Sequence, residues 1–242
     1  MKNSTVLAAL VDILFPPVCP LCGENPAEGP LCGACLRGFE GLRIASPFCP
    51  VCGVPFESSA TGDHPCGECI KDPPPFLTAR SAYRFAPPVL DAVHRLKYNG
   101  QTNLAPSMAA LAVGAIADPV AAVAYDVVMP VPLHVTRLRE RGFNPSLLLA
   151  RVVAGRLGVP IDYDTLQRTR MTGPQVGLPS AERRRNVKGA FEVATPGAVE
   201  GRSVLLVDDV YTTGSTVAEC SRALAASGAS VHVLTLARTV KV

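Results

Sequence analysis

The chain has 242 residues, enough for one ordinary domain of about 150 residues and a smaller module. Its formal net charge of +3 is too small to indicate, by itself, that the whole chain binds nucleic acid. Eight of the nine cysteines fall between Cys19 and Cys69, and this density predicts a separate N-terminal module.

The first segment is apolar over residues 6–15 but contains Asp12. Such a run is well short of the ~20 residues that span a bilayer. The internal acid and the lack of a clear small-residue cleavage site also argue against a signal peptide. We therefore expect a helix within residues 1–18 that packs on a neighbouring domain of a cytoplasmic protein, with no membrane span.

Four C-x-x-C pairs follow within residues 19–72, and Cys-Pro-x-Cys-Gly opens each half of this segment. Because a C-x-x-C-Gly turn directs two thiolates at one metal, two turns complete a tetrahedral, structural zinc site. We expect two Zn²⁺ ions in a double zinc ribbon, with sequential pairing favoured and interleaved pairing left open. The sequential ligand sets are Cys19, Cys22, Cys32 and Cys35 for one ion, and Cys49, Cys52, Cys66 and Cys69 for the other.

Two other interpretations of these cysteines are weaker. A disulfide framework is typical of secreted chains, and no secretion signal is evident. A thioredoxin-type redox site uses one motif beside a βαβ unit rather than four in repeats. His64 lies close to Cys66 and could replace a thiolate, but we expect it at the surface because four cysteines are already available.

Prolines then separate the cysteine module from the rest of the chain. We interpret residues 73–80 as a linker and residues 81–242 as the second domain. Lys97 lies in the last turn of a predicted helix, where it either complements the helix dipole or reaches a ligand. The predicted elements in the first part of this domain are a strand at 81–85, helices at 87–97 and 105–117, and a strand at 127–131.

Basic residues are concentrated between Arg137 and Lys188, a stretch that contains eleven basic and four acidic residues. Arg137, Arg139 and Arg141 follow the strand at 127–131, so we expect them in a loop at its carboxyl end. Guanidinium groups there suit a pyrophosphate, although a solvated basic loop is the alternative. A helix at 146–157 follows, and residues 175–188 are predicted to form a mobile loop that could close over a ligand before a strand at 190–193.

Residues 204–216 form the most informative stretch. The apolar run at 204–207 predicts a buried parallel strand, and Asp208 and Asp209 follow at its carboxyl end. A turn of small polar residues then leads into a helix, whose free backbone N–H groups and dipole form an anion site. The turn consists of Thr212, Thr213, Gly214, Ser215 and Thr216. A strand at 231–237 ends the predicted series.

Residues 204–216 resemble the 13-residue signature of type I phosphoribosyltransferases. Nearly the whole chain resembles the ComF family, also called ComFC, in which a double zinc ribbon precedes such a domain. Further resemblances are Leu-Lys-Tyr-x-Gly at 96–100, Arg-Gly-Phe-Asn at 141–144 and Ala-Phe at 190–191, together with Gln175, Leu178, Arg183 and Asn186. One departure is Pro145, where the family pattern leads us to expect Gln.

The resemblance implies an α/β fold: a parallel sheet flanked by helices, with a small zinc-ribbon module in front. It implies binding of phosphoribosyl pyrophosphate with Mg²⁺, a catalytic set of Asp208, Asp209, Arg137 and Arg183, and a role in uptake of single-stranded DNA with competence proteins. The residues expected to bind phosphoribosyl pyrophosphate are Lys97, Pro132, Leu133, Arg137, Arg141, Asp208, Asp209, Tyr211, Thr212, Thr213, Gly214, Ser215 and Thr216.

The acceptor is not recognisable in the sequence. A pentosyltransferase, a non-catalytic sensor that binds nucleic acid, and a salvage enzyme for bases or amines all remain open. Aromatic residues for stacking on bases make up only 5% of the chain, and Trp is absent. Cys220 lies within the predicted helix after the anion site, where a packed thiol is expected.

Overall fold

The computed structural model describes residues 18–24, 31–56, 62–115, 123–173, 180–195 and 197–240. The side chains of Ser180, Ala181 and Arg183 are not among the described groups. The helix expected within residues 1–18, and the family positions Gln175 and Leu178, lie outside these ranges apart from Val18. None of the described helices has the length and apolar character that crossing a membrane requires.

The described residues contain eight helices and six strands. The helices are α1 (Gly33–Glu40), α2 (Gly67–Lys71), α3 (Val89–Tyr98), α4 (Leu104–Ala115), α5 (Val135–Arg141), α6 (Pro145–Leu157), α7 (Ser180–Val187) and α8 (Ser215–Ala226). The strands are β1 (Thr78–Arg84), β2 (Val127–Pro130), β3 (Leu166–Arg168), β4 (Phe191–Val193), β5 (Ser203–Tyr211) and β6 (Ser230–Arg238).

Four strands form one parallel sheet in the order β1-β6-β5-β2, while β3 and β4 form a separate antiparallel pair. Alternate residues of β5 point to two different cores. Leu205 and Val207 belong to the core that includes α3, α4 and α6, whereas Leu206 belongs to the core that includes α8 and β4. Helices therefore cover both faces, which explains the continuous apolar run of a central strand.

β5 is longer than the sequence indicates. The apolar run predicts a strand at 204–207, but β5 continues to Tyr211. Asp208 and Asp209 therefore lie within the strand, near its carboxyl end. The reason is its neighbour, because β6 continues alongside and pairs Asp208 with Thr235 and Tyr211 with Arg238. Ladder hydrogen bonds thus outweigh the low strand preference of aspartate.

Two predicted loops are partly helical. The segment with Arg137, Arg139 and Arg141 forms α5, which begins after His134 and ends at Gly142, a glycine with φ of 80°. The Nδ1 atom of His134 accepts a hydrogen bond from the Thr136 amide at 3.3 Å, which caps the helix. Likewise, residues 180–187 of the expected loop form α7.

The zinc-ribbon module packs directly on the first strand of the sheet. The amide of Ala79 donates to the Val51 carbonyl at 2.7 Å, and the Ile44 amide donates to the Ala82 carbonyl at 2.9 Å. β1 begins at Thr78, inside the predicted linker, and Phe76 before it is buried. Residues 76–80 therefore belong to the packed structure and do not tether it loosely.

A matched pair of glycines tests this contact. Gly23 and Gly53 end equivalent zinc turns with φ of 86° and 72°, but a Cβ on Gly53 would overlap the Ala79 carbonyl oxygen, whereas a Cβ on Gly23 meets nothing. Both Ala variants carry backbone strain of about 1 kcal/mol. Gly53→Ala should cost a further ~2 kcal/mol because the ribbon must move off β1. Urea unfolding of the two variants measures the difference, and equal losses would contradict the close approach.

Candidate functional site

The acid pair occupies the carboxyl end of β5. The Nζ atom of Lys97, from the last turn of α3, lies 2.7 Å from Oδ1 of Asp209. Asp208 is held differently: its Oδ1 accepts the hydroxyl of Ser146 at 2.7 Å and the backbone amide of Asp209 at 2.9 Å. The two carboxyls are adjacent in sequence, but one faces a cation and the other faces hydroxyl and amide donors.

These environments separate the charges of the two acids. Burial raises the pKa of Asp208 to about 7, and the neighbouring charge of Asp209 adds to the effect. Burial would lower the pKa of Lys97, but the charge and hydrogen bond of Asp209 outweigh it and raise that pKa. At neutral pH the site therefore holds the cation of Lys97 against Asp209, beside a carboxyl, Asp208, that can be neutral.

The polar turn after β5 has the conformation of an anion site. Gly214 is the N-cap of α8 and has φ of 73°. The hydroxyl of Tyr211 lies where a Cβ on this residue would be, so only glycine fits. Thr213 and Ser215 hold the turn with a 2.7 Å hydrogen bond between their hydroxyls. The first amides of α8 therefore face a turn that is fixed by packing on one side and by hydroxyls on the other.

An open cleft of about 320 Å³ lies beside the acid pair. Its wall includes Lys97, Tyr98 and Gly100 from the end of α3, and Arg137, Arg141 and Phe143 from α5 and the residues after it. Since Lys97 also contacts Asp209, the cleft and the acid pair are continuous. The cleft thus offers cations, aromatic rings and the Glu140 carboxylate, and Lys97 joins it to the acid pair.

The structure brings together Lys97, Arg137 and Arg141 at this cleft, as the sequence predicts for a single ligand site. Arg137 forms an ion pair with Glu140 at 2.7 Å, and both side chains are about half exposed. The guanidinium of Arg141 lies 5.6 Å from the ring centroid of Tyr98. The structure does not describe the side chain of Arg183, and its predicted role is untested.

Pro132 and Leu133 follow β2 at the same edge of the sheet as the acid pair. The preceding residue, Val131, donates its amide to the Val207 carbonyl at 2.9 Å, which fixes the start of this turn beside β5. The carbonyl of Val131 also accepts the side chain of Asn144 at 3.0 Å. The turn is therefore attached both to β5 and to the start of α6.

Sequence reasoning missed Ser146 and Glu140. Asn144 caps α6 by accepting the Ser146 amide at 3.0 Å, and this cap places the Ser146 hydroxyl against Asp208. Asn followed by Pro at the first helical position marks the helix start, but it does not indicate the contact with Asp208. Glu140 could have been found from its i,i+3 spacing to Arg137. Pro145, the departure from the family pattern, is the ordinary first residue of such a helix.

The eight N-terminal cysteines form two separate groups. Cys19, Cys22, Cys32 and Cys35 have their sulfur atoms within 4.8 Å of one another, and the same is true of Cys49, Cys52, Cys66 and Cys69. Four thiolates at this spacing fit a tetrahedral Zn²⁺ ion with no open position. The sequential pairing is the one the structure has. His64 is not among these ligands and instead stacks on Phe56 with the ring centroids 4.1 Å apart.

Cys220 is fully buried on α8 and belongs to the core on that face of the sheet. Burial raises the pKa of its thiol well above the ordinary value. A thiol that stays protonated and inaccessible is a packing residue, in agreement with the sequence expectation.

Comparison with known proteins agrees with this two-part architecture. The double zinc ribbon domain family matches residues 10–70, and the phosphoribosyl transferase domain family matches residues 144–240. DNA utilization protein YhgH of Escherichia coli strain K12 is 36% identical over 235 residues, which cover 94% of this chain and 100% of that protein. Competence protein F of Haemophilus influenzae is 31% identical over 217 residues, covering 88% of this chain and 92% of that protein. The chain belongs to the ComF family.

Membership of the ComF family confirms the type I phosphoribosyltransferase fold and the two four-cysteine zinc-ribbon sites expected from the sequence. Among solved structures, a glutamine phosphoribosylpyrophosphate amidotransferase from B. subtilis, in complex with ADP and GMP, is 24% identical. The match covers 60% of this chain and 30% of that one, with a TM-score of 0.40.

The zinc content follows from the two cysteine groups. Metal analysis of the purified chain should give close to two zinc ions per chain, one for each group of four sulfurs. Cys35→Ser and Cys69→Ser each remove one ligand from a different group, so each variant should lose zinc from its own site. A wild-type value near one would contradict the double site.

The pKa of Asp208 predicts an unusual pH dependence of stability. Its folded value of about 7 is higher than the ordinary 3.8, so the folded chain keeps a proton that the unfolded chain loses between these values. This contribution to stability is complete below about pH 4 and is lost as the pH rises to about 7. Relative to Asp208→Asn, which has no such proton, wild type should lose up to about 4 kcal/mol over that range.

Urea unfolding of both proteins across this pH range measures the difference. Asp162→Asn is the control: burial would raise the pKa of Asp162, but hydrogen bonds from Thr165 and the Asp164 amide lower it. The Asp162 carboxylate therefore stabilises the fold above about pH 4, and this variant should run parallel to wild type between pH ~5 and ~7. Parallel curves for Asp208→Asn would show that Asp208 is ionised in the folded chain.

Proposed function

We propose that this ComF-family chain binds phosphoribosyl pyrophosphate with Mg²⁺ at the carboxyl edge of β5 and transfers its phosphoribosyl group. One observation carries the proposal most directly: Lys97 contacts Asp209 at 2.7 Å while lining the cationic cleft. The acid pair, which suits ribose hydroxyls, is thus continuous with cations that suit a pyrophosphate. These are the two chemical features that phosphoribosyl pyrophosphate carries on one sugar.

The 5′-phosphate is assigned to the turn at residues 211–216. Backbone amides at the start of α8 and the hydroxyls of Thr213 and Ser215 are donors for a phosphate, and the helix dipole favours its charge. Gly214 carries no side chain, which leaves room for the Tyr211 hydroxyl that packs against it. The fixed turn therefore needs little ordering when a phosphate binds.

The ribose hydroxyls are assigned to Asp208 and Asp209. Lys97 occupies Oδ1 of Asp209, so a ligand that hydrogen-bonds to this carboxylate either uses its second oxygen or displaces the lysine. The charged amine released in that way would lie in the cleft, where it can turn to the pyrophosphate. Lys97 thus serves one part of the ligand while Asp209 serves another.

The pyrophosphate is assigned to the cleft. Arg137 and Arg141 line it, and their guanidinium groups can each donate two parallel hydrogen bonds to phosphate oxygens. Pro132 and Leu133 would contact it through the turn after β2. The carboxylates of Asp208 and Asp209 are ligands of the kind that Mg²⁺ takes, and a bound ion would supply neutralisation of charge on the leaving pyrophosphate.

In the transfer, an acceptor attacks C1′ of the ribose as the bond from C1′ to the pyrophosphate oxygen breaks. The electron pair of that bond leaves with the pyrophosphate, where Arg137 and Arg141 stabilise the growing charge. No protein nucleophile takes part, which agrees with the buried state of Cys220. Arg183, on α7, stays in the catalytic set that the family resemblance implies.

The names of the relatives suggest the process. Competence protein F and DNA utilization protein YhgH are both named for the handling of DNA. We infer that this chain acts in natural competence in the cytoplasm, with single-stranded DNA and uptake proteins as partners. The basic residues between Arg137 and Lys188 would provide the contacts to phosphates.

A non-catalytic sensor of phosphoribosyl pyrophosphate is the second candidate. The same two names favour it, because neither describes a chemical reaction. The Lys97–Asp209 contact would suit a sensor, since a ligand that opens it changes the end of α3. Release of pyrophosphate on addition of an acceptor base or amine distinguishes the enzyme from the sensor.

The binding test is thermal unfolding with Mg²⁺, with and without phosphoribosyl pyrophosphate. A ligand at ~100 times its dissociation constant should stabilise the chain by about 2.7 kcal/mol. The double variant Asp208→Asn and Asp209→Asn should lose this stabilisation because the ribose hydroxyls lose their acceptors, while circular dichroism shows an intact fold. Asp164→Asn, an exposed acid on another loop, is the matched control and should respond as wild type does.

The double variant leaves Lys97 without its partner, so a second variant guards against loss of folding. Thr213→Val keeps the acid pair and removes one hydroxyl of the turn. It should weaken binding by about tenfold, which corresponds to one lost hydrogen bond to a charged group. Full ligand stabilisation in both variants would rule out this site.

A further inference from the structure

Two arginines of the sheet point at one turn of the second zinc site. Arg80 on β1 donates to the Pro50 carbonyl at 2.9 Å, and Arg238 on β6 donates to the Cys52 carbonyl at 2.6 Å. Arg238 is only 5% exposed, and its Nε is buried without a hydrogen-bond partner among the described residues. Such a position is costly for a cation unless negative charge lies nearby.

The second zinc site supplies that charge. A Zn²⁺ ion with four thiolates carries a formal charge of about −2. Arg238 has no ion-pair partner among the described residues. Its contact with the Cys52 carbonyl places it next to the turn that carries the zinc ligands Cys49 and Cys52. The guanidinium is thus a neighbour of the metal centre, comparable to the groups that orient metal ligands from outside the coordination sphere.

The guanidinium of Arg238 also packs on the ring of Tyr211. This ring lies beside the polar turn at residues 212–216, hereafter the phosphate turn. The central carbon of the guanidinium lies 4.7 Å from the ring centroid of Tyr211, which is the last residue of β5. The Tyr211 hydroxyl in turn packs on Gly214, at the place a side chain would take. A continuous series of contacts therefore runs from the Cys52 carbonyl through Arg238 and Tyr211 to the N-cap of α8.

Arg80 provides a natural comparison. It holds the same zinc turn through Pro50, but its guanidinium lies 4.9 Å from the ring centroid of Phe48, inside the ribbon module. Its hydrogen bonds remain on the ribbon and on β1, since the other one goes to the Ala79 carbonyl. Arg80 thus shares the attachment to the ribbon and lacks the contact with Tyr211.

We propose that Arg238 and Tyr211 are positioning residues that fix the phosphate turn against the second zinc site. The Cys52 carbonyl accepts a hydrogen bond from the Arg238 guanidinium, the guanidinium packs on the Tyr211 ring, and the Tyr211 hydroxyl packs against Gly214. Replacing either residue loosens residues 212–217, and replacing Arg238 does so without removing a group assigned to the ligand. The ligand assigned to the turn rests on the proposed function, but the order of the turn does not.

The test compares Arg238→Met, Arg238→Lys and Arg80→Met in the full chain with zinc bound. Hydrogen exchange of the amides at 212–217 without ligand should become faster in Arg238→Met and remain unchanged in Arg80→Met. The affinity for phosphoribosyl pyrophosphate with Mg²⁺ should fall about tenfold in Arg238→Met alone. This is the scale of loss for a residue that orients the binding groups without touching the ligand. Arg238→Lys keeps a charged donor and should lie between Arg238→Met and wild type.

Unchanged exchange in Arg238→Met, or the same change in Arg80→Met, would overturn the proposal, because the turn would then respond to ribbon packing in general or not at all. If wild type does not bind phosphoribosyl pyrophosphate, the proposed function fails, while the exchange measurement still decides this inference. If Arg238→Met does not fold, Tyr211→Leu replaces it: faster exchange at 212–217 with two zinc ions retained supports the proposal, and unchanged exchange overturns it.

Discussion

The hydrogen-bonded pairing of β5 with a strand on each side is the constraint on which the site depends. β6 and β2 hold it in parallel register, and the pairing with β6 continues as far as Tyr211. Because the strand is fixed to its end, Asp208 and Asp209 project from rigid backbone and not from a loop. Groups from α3 and α6 can then converge on them with little freedom to move away.

This convergence gives two adjacent aspartates different chemistry. Asp209 receives the cation of Lys97, while Asp208 receives the hydroxyl of Ser146 and is buried. Burial, together with the repulsion between two adjacent carboxylates, raises the pKa of Asp208. A site of this kind can take a ligand hydroxyl as a hydrogen-bond donor at one acid and can exchange a proton at the other.

The sequence predicts the features that are set by local chemistry. The C-x-x-C-Gly repeats predict two zinc turns, and the run at 204–216 predicts a buried strand, an acid pair and a helix start. The length of β5 could not be predicted, because it depends on pairing with β6, which is non-local. The helix at Val135–Arg141 was missed for a different reason: its cap is a histidine, which is not among the usual capping residues.

Contacts between distant segments were also beyond sequence reasoning. Nothing in the local pattern of Ser146 indicates that it reaches Asp208, 62 residues later. The role of Lys97 was open between a helix dipole partner and a ligand group, and neither interpretation included the ion pair with Asp209 that the structure shows. The prolines before Phe76 predict a break in regular structure, but they do not show that the next residues pack against the sheet.

The contact between Arg238 and the Cys52 carbonyl joins residues that are 186 positions apart. During synthesis the turn with Cys52 therefore leaves the ribosome long before Arg238 is added to the chain. Zinc can fold the ribbon in that interval, so the metal-bound turn is available as a template on which β1 and later β6 assemble. Scarcity of zinc in the cell would then affect the folding of the new chain, through the order in which the sheet forms, as well as the stability of the mature protein.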